Sequence, residues 1–306
     1  MNILVTGGAG FIGSHIVDSL VKKEHKLIVI DNLSTGLEEN LNSEVRFYKR
    51  SISDDLSDIF EKEKPKVVFH LAAQINVRRS VENPVFDAKN NIIGSLNILE
   101  NMRKTGGKKI VFSSTGGAIY GDKVKIPTPE SEEEKPYSPY GVAKLSIEKY
   151  LNFYKKVHGI DFVSLRYANV YGPRQNSRGE AGVIAIFLDK ILKGDQPTIN
   201  GSGKQTRDYV YVKDVVSANI LSLQKESSGI FNVGTSKETS VNELFEKIVE
   251  LTGKTVKEVH GPSKKGEQMR SCLSYEKIKK ELGWEPKFDL DSGLKETVEW
   301  FKGKRE

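Results

Sequence analysis

The chain has 306 residues, of which 37% are hydrophobic and 29% charged, with a mean hydropathy of −0.43, values that exclude a disordered or collagenous chain. A net charge of +6 is small for this length, lysines and glutamates are mixed throughout, and no apolar run reaches the ~18 residues of a membrane span, so neither nucleic acid nor a membrane is expected as a partner. Cys272 stands alone and His15, His25, His70, His158 and His260 lack ligand spacing, which argues against a disulfide and a metal site; Met1 leads straight into a β-like segment, so a cytoplasmic location is expected.

Strand-like runs at Asn2–Thr6, Lys26–Ile30, Val45–Tyr48, Lys66–Leu71, Lys109–Ser113 and Asp161–Arg166 alternate with helical patterns. Several are continuously apolar (Ile3-Leu4-Val5, Leu27-Ile28-Val29-Ile30, Val67-Val68-Phe69), as strands are when both faces of a parallel sheet are covered. This pattern predicts an α/β fold with a doubly wound parallel sheet. The longest helices are predicted near 84–104, opening at Pro84, and near 138–158, after Ser138-Pro139. Glu130–Glu134 is the one charge run and reads as a solvated loop. From Tyr171 the rhythm loosens, with helices expected near 183–193, 212–224, 241–252, 274–282 and 291–301 in a smaller second domain.

The first strand runs into Thr6-Gly7-Gly8-Ala9-Gly10-Phe11-Ile12-Gly13-Ser14, which satisfies G-x-G-x-x-G through Gly8, Gly10 and Gly13 and a wider spacing through Gly7, Gly10 and Gly13. Such glycines permit a sharp strand-to-helix turn and bring bare backbone N–H groups against a pyrophosphate at the helix N-terminus. Asp31 follows at the end of the second strand, where a carboxylate accepts both ribose hydroxyls of an adenosine. Asn32-Leu33-Ser34-Thr35-Gly36 supplies no cation for a 2′-phosphate, so NAD is favoured over NADP.

Tyr140 and Lys144 are spaced i and i+4 on one helix face, where an ammonium beside a phenol favours phenolate and the positive nicotinamide of an oxidised cofactor would add to it, giving a base near neutral pH. Tyr209 with Lys213 and Tyr275 with Lys279 share the spacing. The former alternates like a strand, which stretches the pair to ~13 Å, and the latter lies on a charged helix read as exposed. Only Tyr140 follows a strand ending in hydroxyls, Phe112-Ser113-Ser114-Thr115, where a hydroxyl is available to bond the reacting oxygen.

With these motifs, the sequence resembles the extended short-chain dehydrogenase/reductase family, and within it the NAD-dependent sugar-nucleotide 4-epimerases. Further segments carry the resemblance over the whole chain: His70-Leu71-Ala72-Ala73, Asn90-Asn91-Ile92-Ile93-Gly94-Ser95, Pro139-Tyr140-Gly141-Val142-Ala143-Lys144, Leu165-Arg166-Tyr167-Ala168-Asn169, Arg207-Asp208-Tyr209 and Leu282-Gly283-Trp284. The resemblance implies a Rossmann domain at 1–168 that binds NAD and carries the Tyr/Lys pair. Residues 169–306 are then mainly a smaller C-terminal α/β domain for a nucleotide sugar, with some segments packing back on the first.

It further implies Tyr140 as base, Lys144 as its partner and Thr115 as the substrate-hydroxyl contact. Cofactor contacts would come from Gly7, Gly10, Phe11, Ile12, Gly13, Asp31, Asn32, Ser34, Thr35, Gly36, Ile52, Leu71, Ala72, Ala73, Gln74, Asn91, Ser113 and Tyr167, besides Tyr140 and Lys144. Substrate contacts would come from Asn169, Val183, Arg207, Lys264, Glu267 and Ser271, besides Thr115 and Tyr140. Where relatives carry an aspartate before the isoleucine after the third strand, this chain has Ser51-Ile52, with Asp54 nearby.

The related 4,6-dehydratases place an acid after the hydroxyl residue to drive loss of water, whereas Gly116-Gly117-Ala118 follows here. The expected reaction is therefore epimerisation at C4 of a UDP-hexose through a 4-keto sugar, in a homodimer paired through the two longest helices. Ser271 stands where relatives restricted to plain hexoses carry a tyrosine, so the N-acetylated pair is an expected substrate as well. The alternatives are a UDP-glucuronate 4-epimerase or decarboxylase, which needs a cation such as Arg78, Arg79, Arg174 or Arg178, and a non-catalytic dinucleotide-binding protein.

Overall fold

The computed structural model describes all residues except 24, 123, 178–181, 225–226, 264–267 and 305–306. The apolar runs form β1 (Asn2–Thr6), β2 (Lys26–Asp31), β3 (Arg46–Lys49), β4 (Val67–His70), β5 (Lys109–Thr115) and β6 (Asp161–Tyr167). The later strands are mostly short: β7 (Asn169–Tyr171), β8 (Ile199–Asn200), β9 (Thr206–Arg207), β10 (Tyr209–Tyr211), β11 (Gly229–Val233), β12 (Thr239–Ser240), β13 (His260–Gly261) and β14 (Arg270–Ser271). The first helices are α1 (Phe11–Val21), α2 (Ser57–Glu63), α3 (Val77–Glu82), α4 (Pro84–Ala88), α5 (Gly94–Thr105), α6 (Gly116–Ile119) and α7 (Pro139–His158). They are followed by α8 (Val183–Lys193), α9 (Val212–Gln224), α10 (Val241–Thr252), α11 (Glu276–Leu282) and α12 (Leu290–Gly303).

Seven strands form one parallel sheet in the order β3-β2-β1-β4-β5-β6-β11. Strand order reverses between β1 and β4, so the crevice for a ligand opens at the carboxyl ends of these strands, where Thr6, Asp31, His70 and Thr115 stand. One sheet face is covered by Ile16, Val17 and Leu20 of α1 with Val215 and Ala218 of α9 and Ile278 and Leu282 of α11. The other is covered by α2, α5 and α7 through Phe60, Ile98, Leu99, Met102, Ile147 and Leu151. A separate core, with Phe187, Leu188, Leu244, Phe245, Ile248, Leu294 and Val298, joins α8, α10 and α12.

The seventh strand, β11, is not anticipated by the sequence pattern. Its run Ile230-Phe231-Asn232-Val233 is broken by an asparagine that is fully buried. Tertiary partners make that burial tolerable, because Tyr120 Oη donates to Asn232 Oδ1 and Asn232 Nδ2 donates to Thr128 O. The Asn232 N–H donates to Glu130 Oε1 at 2.7 Å. The acidic run is thus not simply a solvated loop: Glu130 holds β11, and Glu134 pairs with the buried Arg166 at 2.8 Å.

The helix expected at 84–104 runs from Pro84 to Thr105 but contains a π-helical turn at Lys89–Ile93. Such turns bulge the backbone outward by one residue and frequently mark sites. Helix α7 begins as its sequence predicts, with Ser138 Oγ accepting from Gly141 N and Pro139 in the first turn.

Candidate active site

The turn from β1 to α1 is built on backbone. Gly7 has φ +73°, and a Cβ on Gly13 would lie 2.1 Å from Gly7 O, which only glycine avoids. Gly10 caps α1 without a side-chain hydrogen bond, and the first turn of α1 carries no acid, so the N–H end around Phe11, Ile12 and Gly13 is available to an anion. Asp31, buried at the end of β2, accepts from Ala9 N at 3.0 Å and Leu33 N at 2.8 Å. Each carboxylate oxygen is therefore fixed by one backbone donor and retains a lone pair for a hydroxyl. The following loop closes on the glycine turn, with Asn32 Oδ1 accepting from Ser34 N, Leu37 N donating to Ala9 O, Gly36 packed on Ala9, and Ser34 and Thr35 exposed. This bare, positively polarised turn with a carboxylate beyond it fits a dinucleotide.

Farther along, Ile52 is buried against Gly94, while Asp54 folds back so that its Oδ2 accepts from Ser51 N at 2.8 Å. The loop after β4 carries Leu71, Ala72, Ala73 and Gln74, and the N–H groups of Leu71 and Ala72 both donate to Thr6 O at 3.1 Å. Beneath it runs a closed hydrogen-bond chain. Ala72 N donates to Thr6 Oγ1, and Thr6 Oγ1 to His70 Nδ1 at 2.7 Å. On the other side of the ring, Ser95 Oγ donates to Asn91 O, which leaves His70 Nε2 to donate to Ser95 at 2.8 Å. Burial pushes His70 down to about 3, so it is neutral and acts as a strut between β1, β4 and the π turn.

Asn91 lies in the π turn beside this loop. Its Nδ2 donates to Gln74 O and Asp87 Oδ1, and its Oδ1 accepts from Gln74 N, so both amide hydrogens are engaged inside the protein. It shapes the cleft by bracketing the Gln74 peptide.

Thr115 ends β5 and caps α6, its Oγ1 accepting from Ala118 N at 3.4 Å. Tyr140 enters α7 one residue after Pro139, its N–H donating to Ser80 Oγ. Lys144 Nζ lies 5.9 Å from the Tyr140 ring centre and 4.7 Å from the Phe112 ring centre, and donates to Ser113 O at 2.7 Å. The spacing brings the pair together, but a base near neutral pH does not result from the chain alone. Burial pushes the Tyr140 phenol above its ordinary value, and the Asp87 carboxylate adds in the same direction. Burial lowers Lys144 to about 8, opposed by Asp87 and Glu148.

The other tyrosine–lysine spacings serve packing. Lys213 pairs with Glu296 at 2.6 Å in the first turn of α9, and Lys279 pairs with Glu285 at 2.7 Å. Helix α11 exposes Glu276, Lys279, Lys280 and Glu281, while Tyr275 just before it is half-buried edge-on against Trp284. Tyr167, at the end of β6, is buried, its hydroxyl bonded to Asn219 of α9.

Opposite Thr115, strands β9 and β14 place Ser271 directly across from Arg207. A Cβ on Gly117 would lie 3.7 Å from Ser271 Oγ, so this wall faces the start of α6. Gly116 is glycine for a related reason: a Cβ there would meet Leu273 at 2.4 Å. The sequence signals this pair of glycines without showing what fills the space they leave. Leu273 is held by its N–H donating to Asp208 Oδ2, and Asp208 also accepts from Thr235 N and Oγ1. Burial pushes Asp208 up to about 6. Asn169 and Val183 line one cleft with Tyr171, Gln175 and Tyr209. Lys264, Glu267 and Arg178 lie outside the described residues. Two cations considered for a uronate are engaged elsewhere, Arg174 with Asp18 at 2.8 Å and Arg79 over the Phe86 ring at 4.0 Å.

A parallel doubly wound sheet, a glycine turn followed by a carboxylate, and a tyrosine–lysine pair beside a hydroxyl at the strand ends define a nucleotide-dependent redox site. Residues 3–234 match the NAD dependent epimerase/dehydratase family, and the chain belongs to it. Among solved structures it is similar to the UDP-glucose 4-epimerase of Thermotoga maritima with UDP-glucose, at 54% identity and TM-score 0.98 over 100% of both chains. It is similar to the UDP-glucose 4-epimerase of Thermus thermophilus complexed with NAD, at 43% identity and TM-score 0.95 over 99% of each. The UDP-N-acetylglucosamine 4-epimerase of Methanobrevibacter ruminantium is 39% identical, with TM-score 0.94 over 99% of this chain and 98% of that one.

Proposed function

We propose that this protein is an NAD-dependent UDP-hexose 4-epimerase that interconverts UDP-glucose and UDP-galactose. The observation that carries the reading is Lys144 set between the Tyr140 ring and Ser113 at the end of β5, with Ser271, paired to Arg207, facing Gly117 two residues beyond Thr115, and with Gly116-Gly117 in place of an acid. NAD, when bound, supplies a reversible hydride acceptor at C4 and, in its oxidised form, a positive charge that favours phenolate. Tyr140 takes the proton of the sugar 4-hydroxyl. Lys144, ammonium at neutral pH, stabilises the phenolate and holds the nicotinamide ribose. Thr115 bonds the reacting oxygen. The 4-keto sugar then turns about its diphosphate, held by Arg207 and Asn169, so that the opposite face of C4 would meet the returning hydride while Tyr140 gives its proton back to O4. Without an acid beside Thr115, elimination of water lacks its proton donor.

In this reading residues 169–306 form mainly the nucleotide-sugar domain, while α9, β11 and α11 belong to the layers of the cofactor domain. With Ser51 in place of a carboxylate, the adenine contact is either weaker or taken over by Asp54, whose Oδ2 accepts from Ser51 N. Val142, Tyr150, Phe153 and Val157 form an exposed apolar stripe on α7, continued by Val81, Val85 and Ile93, which supports a homodimer through these helices. Light scattering at micromolar concentration checks it, and a monomer contradicts it.

The direct test is incubation with UDP-glucose or UDP-galactose without added NAD. Both are expected to reach one equilibrium ratio. A protein holding NAD that leaves both sugars unchanged overturns the reading. The small Ser271 side chain beside Gly117 favours a second substrate pair, UDP-GlcNAc and UDP-GalNAc.

A further inference from the structure

Asp87 was not singled out by the sequence, yet its side chain is only 1% exposed. It lies on α4, one turn before Asn91. Its Oδ1 accepts from Gln74 Nε2 at 2.8 Å and Asn91 Nδ2 at 3.0 Å, whereas the equally buried Oδ2 has no hydrogen-bond partner. A carboxylate buried with half of its acceptor capacity unused either takes up a proton or is held charged by an opposite charge; burial pushes Asp87 up, and the Gln74 and Asn91 amides and the Lys144 charge oppose this. Helix α4 packs against α3 and α7, and α7 carries Tyr140 and the buried Lys144.

The other titratable groups around this pair are already matched. Glu148, a turn beyond Lys144, is bonded to Arg166, Ser114 and Ser164. His70 is neutral between Thr6 and Ser95, and Arg79 of α3 lies over Phe86. Lys144 is the cation whose field acts on Asp87, and Asp87 acts in turn on both Lys144 and Tyr140.

We propose that Asp87 is a positioning residue: one carboxylate oxygen fixes the Gln74 and Asn91 amides that shape the cofactor loop, and its charge is the counter-charge of the Lys144 ammonium. Burial by itself strips Lys144 of its proton as pH rises, and Asp87 opposes this. The Lys144 ammonium therefore persists at neutral pH inside a site that excludes water. The proposal rests on the reading of Tyr140 and Lys144 as the acid–base couple.

The test compares Asp87→Asn, Asp87→Ser and Asp87→Ala with the full-length wild type. The protonation midpoint of Lys144 is read from its Cε resonance in lysine-labelled protein, assigned with Lys144→Met, and set beside the pH profile of kcat. Both charge-removing variants that keep a polar group are expected to lower the midpoint by about one unit and to move the basic limb of kcat down with it. Asp87→Asn, which keeps an oxygen for the two amides, should hold NAD affinity within about threefold, and Asp87→Ala should weaken it about tenfold. An unmoved midpoint in a soluble Asp87→Asn or Asp87→Ser protein overturns the proposal, as does activity lost equally at every pH with both limbs in place. Tyr140→Phe run in parallel separates the two readings: residual near-normal turnover overturns both, whereas an inactive Tyr140→Phe with an unmoved Lys144 midpoint overturns only this one.

Discussion

The cofactor cradle and the sugar-facing wall solve the same task, holding a polar ligand at strand ends, in opposite ways. The cradle is local: Gly7 to Gly13, Asp31 and the loop to Gly36 occupy one βαβ unit, and its contacts are mostly backbone N–H and C=O groups. The wall is assembled from afar. Asp208 reaches Thr235 and Leu273, and Ser271 meets Arg207, over separations of 27 to 65 residues. Backbone chemistry needs only glycines and one acid in order, so it tolerates change elsewhere. A wall made of long-range side-chain bonds changes shape with each residue in it, which is where enzymes sharing one cradle differ in substrate.

The largest effect is expected at the junction of the two regions. Tyr140→Phe should lower kcat by about a thousandfold or more while NAD remains bound, measured by steady-state assay and cofactor titration. Tyr275→Phe, a packing tyrosine with the same lysine spacing, should be mild. Breaking the cradle comes next: Asp31→Ala should weaken NAD about a hundredfold, since two charge-assisted hydrogen bonds are lost, and erase its preference over NADP. Equal binding of both cofactors by the wild type removes Asp31 from the ribose.

On the wall, Asp208 gives a pH signature. Its folded value of about 6 exceeds the ordinary carboxylate value of 3.8, so between the two the folded chain binds more protons than the unfolded one. Its contribution is fully present below about pH 4 and lost as pH rises through 6. Relative to Asp208→Asn, wild-type stability in denaturant should fall over this window by up to about 3 kcal/mol. A flat difference contradicts the burial argument. The smallest effect sharpens the wall's role in specificity. Ser271→Tyr should cut kcat/KM for the N-acetylated pair by about tenfold or more and spare the plain hexoses. Full activity of the variant on UDP-GlcNAc places the gate elsewhere.

What the sequence by itself determined were the six strands β1 to β6, both long helices, the glycine turn, Asp31 and the Tyr140–Lys144 pair, because each is written in contiguous periodicity or fixed spacing. Even Ser138-Pro139 marks the first turn of α7 correctly. Only the tertiary structure decided the rest. Strand β11 has no periodic signal, since its polar residue Asn232 is satisfied by Tyr120, Thr128 and Glu130 from distant segments. In the chain by itself burial, with Asp87 adding to it, holds the Tyr140 phenol above its ordinary value, and the Lys144 ammonium is turned toward Ser113. The side-chain amide of Asn91 bonds Gln74 and Asp87, partners that spacing does not reveal. Desolvation and hydrogen-bond partnership are properties of a place in the fold, and a linear pattern specifies them only where the partners are also neighbours in the chain.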